Sequence, residues 1–121
     1  MRCEVEFTDE FEQWWDTLSE GEQGVVDAYV KMLEEFGVGL GYPYSSDIKG
    51  SKYPQMRELR PQHQGKPYRV LYAFDPRRTA ILLIGGDKTG NNRWYEEFVP
   101  IADKLYEKHL KTLNKEEPSN G

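Results

Sequence analysis

Arg57, Glu58 and Arg60 crowd one short stretch, Arg69 stands in the next apolar run, and Lys88, Arg93 and Tyr95 follow a Gly85-Gly86 pair. Guanidinium forks grip a phosphate through two parallel hydrogen bonds, a geometry lysine cannot copy. Such a set suits RNA cleavage without a metal. A 2′-OH attacks the adjacent phosphate, a base takes its proton, cations hold the developing dianion, and an acid protonates the leaving oxygen. Arg60 and Arg69 are the expected electrostatic stabilisers, each worth on the order of 2–4 kcal/mol in the role of an oxyanion donor. Lys88 serves as the base if crowding by Arg69 and Arg93 lowers its pKa from about 10.4 toward neutrality. Tyr95 either stacks on a nucleobase or gives a proton. Taken singly, each of these residues is more readily a solvated surface group; the set carries the inference.

Other chemistries find no support in the residues. GxSxG, HExxH, CxxC and Walker-type patterns do not occur. Gly85-Gly86-Asp87-Lys88-Thr89-Gly90 lacks the Walker spacing and the helix start that a phosphate loop needs. The histidines, His63 and His109, are far apart in sequence, and no carboxylates are spaced as a metal site requires. Cys3 is the single cysteine, which rules out an intramolecular disulfide and a cysteine-rich metal site. No cofactor and no metal are expected.

The elements that must position the set are legible from patterning. Tyr68–Phe74, rich in aromatic and β-branched residues, and the apolar run Thr79–Ile84 read as two strands joined by a turn at Asp75-Pro76-Arg77-Arg78. Pro76 fixes the turn's φ, and Gly85-Gly86 is expected to end the second strand. Met56–Arg60 reads as a short strand with Arg57 and Leu59 pointing one way and Met56, Glu58 and Arg60 the other. Arg60 and Arg69 thus fall on neighbouring strands, with Pro61–Gly65 as the connection.

Upstream, Glu4–Phe7 suits a first strand. Thr8 or Asp9 caps a helix whose Phe11, Trp14, Trp15 and Leu18 form one apolar stripe, which reads as core packing. Ser19 and Glu22 make a capping box for a second helix to about Phe36, closed by Gly37 and folded back on the first as an antiparallel hairpin. Residues 37–46 read as a loop. Trp94–His109 reads as a final helix, with Pro100 either near its start or at a kink. Strand, helix hairpin, antiparallel strands and closing helix make an α+β fold, with the helices expected on one face of a small sheet.

The chain of 121 residues reads as one domain over 1–113 followed by a flexible polar tail, 114–121. Its apolar residues sit in periodic segments, against wholesale disorder. No leader-like or membrane-spanning apolar stretch is read, so a cytoplasmic protein is expected. Net charge −5 divides unevenly. Residues 1–48 hold two bases and twelve acids, residues 49–93 ten bases and three acids, and residues 94–121 four bases and six acids. That asymmetry suggests a basic working face on an acidic body, or equally the solvated side of a sheet.

Met56-Arg57-Glu58-Leu59-Arg60, the run Gly65–Phe74 and the run Ile81–Gly90 together resemble RelE/HigB-type toxins of type II toxin–antitoxin modules, most closely the Gp49-like HigB branch. The likeness spans about residues 2–110. It implies a RelE-like fold and a ribosome-dependent mRNA endonuclease neutralised by a HigA-like helix-turn-helix antitoxin. Glu58, Arg60, Arg69 and Lys88 fall on the family's motif. Arg60, Arg69 and Lys88 are the implied catalytic residues, while Arg57, Glu58, Arg93 and Tyr95 are the implied RNA-binding set. Lys88 stands alone where the pattern has a run of lysines. Two other readings stay open on the same fold: a non-catalytic subunit of a repressor complex and a ParE-like gyrase inhibitor.

Overall fold

The computed structural model describes residues 2–116. In chain order the elements are β1 (Val5–Phe7), α1 (Asp9–Asp16), α2 (Glu20–Phe36), β2 (Ser45–Asp47), β3 (Arg57–Leu59), β4 (Gln62–His63), β5 (Lys66–Phe74), β6 (Ala80–Asp87) and α3 (Trp94–Glu116). The strands lie in the order β1-β6-β5-β3-β2, with β4 paired to the start of β5. β1 runs parallel to β6, and the other pairs are antiparallel.

The helices cover both faces of this sheet, not one. On one side Phe11, Val26 and Leu33 of α1 and α2 bury Leu59, Val70, Tyr72, Ala80 and Leu82. On the other, Trp94, Val99, Ala102 and Tyr106 of α3 bury Met56, Leu71, Ala73, Ile81 and Leu83. The unbroken apolar runs Val70–Ala73 and Ala80–Leu83 are the cause: a strand apolar on both faces must be covered on both. Each fully buried aliphatic side chain contributes about 1.5–3 kcal/mol.

Helix starts follow their caps. The Thr8 hydroxyl accepts from the Phe11 N–H at 3.0 Å, and Ser19 and Glu22 exchange side-chain and backbone bonds at 3.2 and 2.7 Å. α3 begins at Trp94 and continues through Pro100 to Glu116, so Asn114, Lys115 and Glu116 belong to the helix and not to a tail. Residues 117–121 lie outside those described.

Three features of the strands depart from the sequence reading. Ser45–Asp47 is a strand that overlaps the end of the expected loop, 37–46. It lacks β-branched or aromatic residues, and the hydrogen bond between Ser45 and the Tyr72 hydroxyl (2.6 Å) ties it to the sheet. The connection 61–65 contains the two-residue strand β4, turned back by Gln64 and Gly65, both at positive φ. Gly85 and Gly86 do not end β6; they pair with Val70 and Arg69 inside it. A Cβ at Gly85 would lie 2.3 Å from the Trp14 ring and one at Gly86 2.7 Å from Trp94 Nε1, so glycine here admits two indoles on opposite faces of the strand. Just before them the ladder is irregular. Leu71 pairs with Ile84 and Tyr72 with Leu82, which leaves Leu83 as the extra residue of a bulge.

One tie between α2 and the sheet sets a pH response. Tyr68, a residue 1% exposed, donates its hydroxyl proton to Glu22. The Ser19 N–H and this hydroxyl hold the Glu22 carboxyl down at about 2, against an ordinary 4.5. Burial, then the hydrogen bond to Glu22 and its charge, push Tyr68 up to about 12, from 10.0. Glu22 therefore stabilises the fold fully above its unfolded pKa and loses that contribution as pH falls from about 4.5 to about 2. Tyr68 stabilises below its unfolded pKa and loses its contribution as pH rises from 10.0 to about 12. In urea titrations across pH, Glu22→Gln is expected to shallow the acid limb and Tyr68→Phe the alkaline limb. An unchanged pair of limbs would show that this contact does not persist in solution.

Candidate active site

The two strands of the central sheet that carry arginines place them by alternation. Glu58 and Arg60 project to the α3 side of β3, and Arg69 projects to the same side from β5, in step with Leu71 and Ala73. Lys88, just past β6, is held by its N–H donating to the Pro67 carbonyl at 3.0 Å. The first turn of α3 brings Tyr95 over this group, because Trp94 beside it is buried against Gly86 and stacked on Phe98 with ring centroids 4.6 Å apart.

Glu58 is the hub. It is 3% exposed, and both carboxylate oxygens are occupied. Oε1 accepts from the Tyr95 hydroxyl at 2.5 Å and lies 3.4 Å from Arg69 Nε. Oε2 accepts from Arg60 Nη1 at 2.7 Å and from the Ser46 hydroxyl at 2.7 Å. Arg69, itself buried, also donates to Tyr95 Oη at 3.2 Å and to the Tyr68 carbonyl at 2.8 Å. Lys88 Nζ sits 4.9 Å from the centre of the Tyr95 ring. An open groove of about 330 Å³ runs alongside, lined by Ser46, Asp47, Ile48, Lys49, Glu58, Arg60 and Tyr95.

The electrostatics follow from this packing. Burial first, then Arg69, and more weakly Arg60 hold the Lys88 amine below its ordinary pKa, with Glu58 pulling the other way. Arg93 is not among the causes. Burial and the bond to Glu58 push the Tyr95 hydroxyl up, with Arg69 opposing. At neutral pH Tyr95 is therefore a proton-bearing group. With three cations around one carboxylate, the cluster keeps a net positive charge that an anion can meet from the groove.

Not every residue singled out in the sequence joins this cluster. Arg57 points to the opposite side of β3, where it pairs with Asp47 and donates to Ser45 Oγ at 3.2 Å. Strand alternation alone puts it there. Arg93, just before α3, is exposed and pairs with Glu96 in the first turn of that helix at 3.2 Å. Glu58, expected to touch RNA, is enclosed and saturated, and so serves to hold Arg60, Arg69 and Tyr95 in place. Arg77 is spent at the far end of the hairpin on Glu6 (2.8 Å) and Asp75 (2.7 Å), with His109 also on Asp75 at 2.9 Å. His63 lies beside Gly21 at the start of α2. The cations of residues 49–93 therefore do not form a single face. A larger depression, about 580 Å³, opens at that hairpin turn among Arg2, Cys3, Glu34, Arg77 and Arg78, but its Arg77 is already committed to acids. Ser46 and Lys49 were not singled out in the sequence. β2 carries the first and the second follows it, and a polar three-residue strand leaves no hydrophobic period to read. Among the described residues no group of three or more His, Cys, Asp or Glu is placed to hold a metal. No helix there is long and apolar enough to cross a membrane.

Comparison with known proteins fits this architecture. Residues 13–107 match the model of the family described as phage-derived protein Gp49-like. The chain is 43% identical over 100 residues to the Mycobacterium tuberculosis protein named as toxin HigB3, covering 82% of this chain and 86% of that one. It is 38% identical over 107 residues to the protein named as toxin HigB2 of the same organism, covering 87% of this chain. The chain spans only 53% of the length of HigB2. Among solved structures, the isolated E. coli RelE toxin superposes with a TM-score of 0.59 at 12% identity, covering 82% of this chain and 98% of RelE. RelE of Pyrococcus horikoshii OT3, solved in complex with RelB, gives 0.54 at 15% identity, covering 75% of this chain and 99% of that one. These two likenesses concern the fold. Family model, relatives and fold agree, and the chain belongs to the Gp49-like family of RelE/HigB-type toxins.

Proposed function

We propose that this protein is the toxin of a toxin–antitoxin pair and acts in the cytoplasm as an mRNA endonuclease on the ribosome. The observation that carries this reading is the convergence of Arg60, Arg69, Lys88 and Tyr95 around one buried carboxylate beside an open groove. Arg60, partly exposed on the groove, grips the scissile phosphate, and the buried Arg69 behind it adds the positive potential that holds the charge developing there. Lys88, its pKa lowered by burial and two guanidinium groups, takes the proton of the 2′-OH, which attacks phosphorus. The bond to the 5′ oxygen breaks, leaving a 2′,3′-cyclic phosphate, and Tyr95 supplies the proton to the departing oxygen. No histidine acid–base pair reaches the cluster, so the ribosome supplies the positioning of the strand. The partner that silences it is a HigA-like helix-turn-helix antitoxin, in line with a RelE relative solved with RelB.

Induction of the chain in growing cells, followed by mapping of transcript ends, tests the reading. Growth arrest with new internal 5′ ends is expected, together with cleavage of ribosome-bound but not naked RNA by the purified protein. Arrest with intact transcripts and poisoned gyrase would replace this reading with a ParE-like one. No arrest, with tight binding to the antitoxin alone, would replace it with that of a repressor subunit.

A further inference from the structure

Beside the cluster stands an aromatic ring that the chemistry above does not use. Tyr42 is 77% exposed, the most exposed of the large apolar side chains described. Its position is nonetheless fixed. The turn that carries it is closed by the Tyr44 and Ser45 N–H groups, which donate to the Gly41 carbonyl at 3.0 and 3.1 Å. The Arg60 N–H donates in turn to the Tyr44 carbonyl at 3.0 Å, so turn and arginine move as one piece. The Arg60 guanidinium lies 5.3 Å from the centre of the Tyr42 ring while its Nη1 holds Glu58 at 2.7 Å. One guanidinium therefore bridges the ring and the buried carboxylate. The remainder of the ring faces solvent, and its hydroxyl has no partner among the described residues.

A flat π surface placed beside a phosphate-gripping arginine is the arrangement by which single-stranded nucleic acid is held, backbone on cations and base on an aromatic ring. We infer that Tyr42 is a stacking platform for one nucleobase of the RNA strand whose phosphate meets Arg60. This rests on the RNA-cleaving reading of the same site. Stacking of this kind tolerates any base, because every base has a π face. The platform therefore sets affinity and placement of the strand and not its sequence.

The test is single-turnover cleavage of ribosome-bound mRNA by wild type, Tyr42→Ala and Tyr42→Trp. The messages form a series in which each carries one abasic nucleotide near the cut. Tyr42→Ala is expected to raise the half-saturating protein concentration about 5- to 100-fold, and Tyr42→Trp to restore it. One abasic position should cost the wild type a similar factor and cost Tyr42→Ala nothing further. If every abasic position penalises both proteins equally, the platform does not exist. Unchanged cleavage with weakened antitoxin binding would likewise overturn it, in favour of a protein contact. Should the wild type cut nothing, anisotropy of a short 2′-O-methyl RNA on the intact chain separates the two ideas. Binding that depends on Tyr42 keeps the platform and rejects the cleavage, and binding indifferent to Tyr42 rejects the platform.

Discussion

Lys88→Met slows single-turnover cleavage of ribosome-bound mRNA by about 10²–10³-fold, the range for losing a positioned general base. The substitution keeps an unbranched aliphatic stem and removes the amine that lies over the Tyr95 ring. Stability is therefore expected to change by under about 1 kcal/mol in urea titration, as for a half-buried side chain without an ion-pair partner among the described residues. The wild-type rate should rise with pH through the lowered pKa of Lys88, since the neutral amine is the active form. In Lys88→Met that ascending limb should vanish. A variant that keeps the wild-type rate and pH profile would show that another group takes the 2′-OH proton.

Glu58→Ala is expected to destabilise the protein by about 3–5 kcal/mol, the cost of leaving a buried charge without its counter-ion. The case rests on exposure: the side chains of Glu58 and Arg69 are 3% and 7% exposed, so water cannot take over from the missing carboxylate. The same change removes the acceptor for Tyr95 and Ser46 and releases Arg60. Cleavage should fall with stability, which leaves the cause ambiguous in the single variant. The double variant Glu58→Leu with Arg69→Met resolves it. Removing both charges is expected to recover most of the lost stability, because an apolar pair avoids the desolvation penalty, while cleavage stays absent. If Glu58→Ala proved as stable as wild type by urea denaturation, the carboxylate would not be the anchor of the cluster.

How much of this was legible follows the physics of each signal. The hairpin β5–β6 was readable because two apolar runs flank a proline turn, and both helix caps near the N-terminus were readable because Thr8 and Ser19 carry local side-chain rules. Alternation along β3 correctly put Glu58 and Arg60 on one side and sent Arg57 to the other. The strand β2 escaped notice because Ser45-Ser46-Asp47 has no strand propensity; its place is decided by Tyr72 and by pairing to β3, both remote in sequence. Gly85-Gly86 misled for a related reason. Glycine there answers to the indoles of Trp14 and Trp94, which no local pattern connects to it. The meeting of Lys88 with Tyr95 depends on how the last helix docks, so charge spacing could nominate Arg93 as readily as Arg60. The unbroken apolar runs carry the signal for helices on both faces, whereas the order of elements alone suggests helices gathered on one.

The spare residue at Leu83 decides which sign of charge greets an incoming phosphate. Counted out from the Asp75 turn in strict two-residue rhythm, the side chain owed to the Arg69 side would be Asp87, and Lys88 would be sent toward the helix hairpin. The hiccup in the ladder trades the two places. A strand of ideal regularity with the same residues would have presented an acid to an acid.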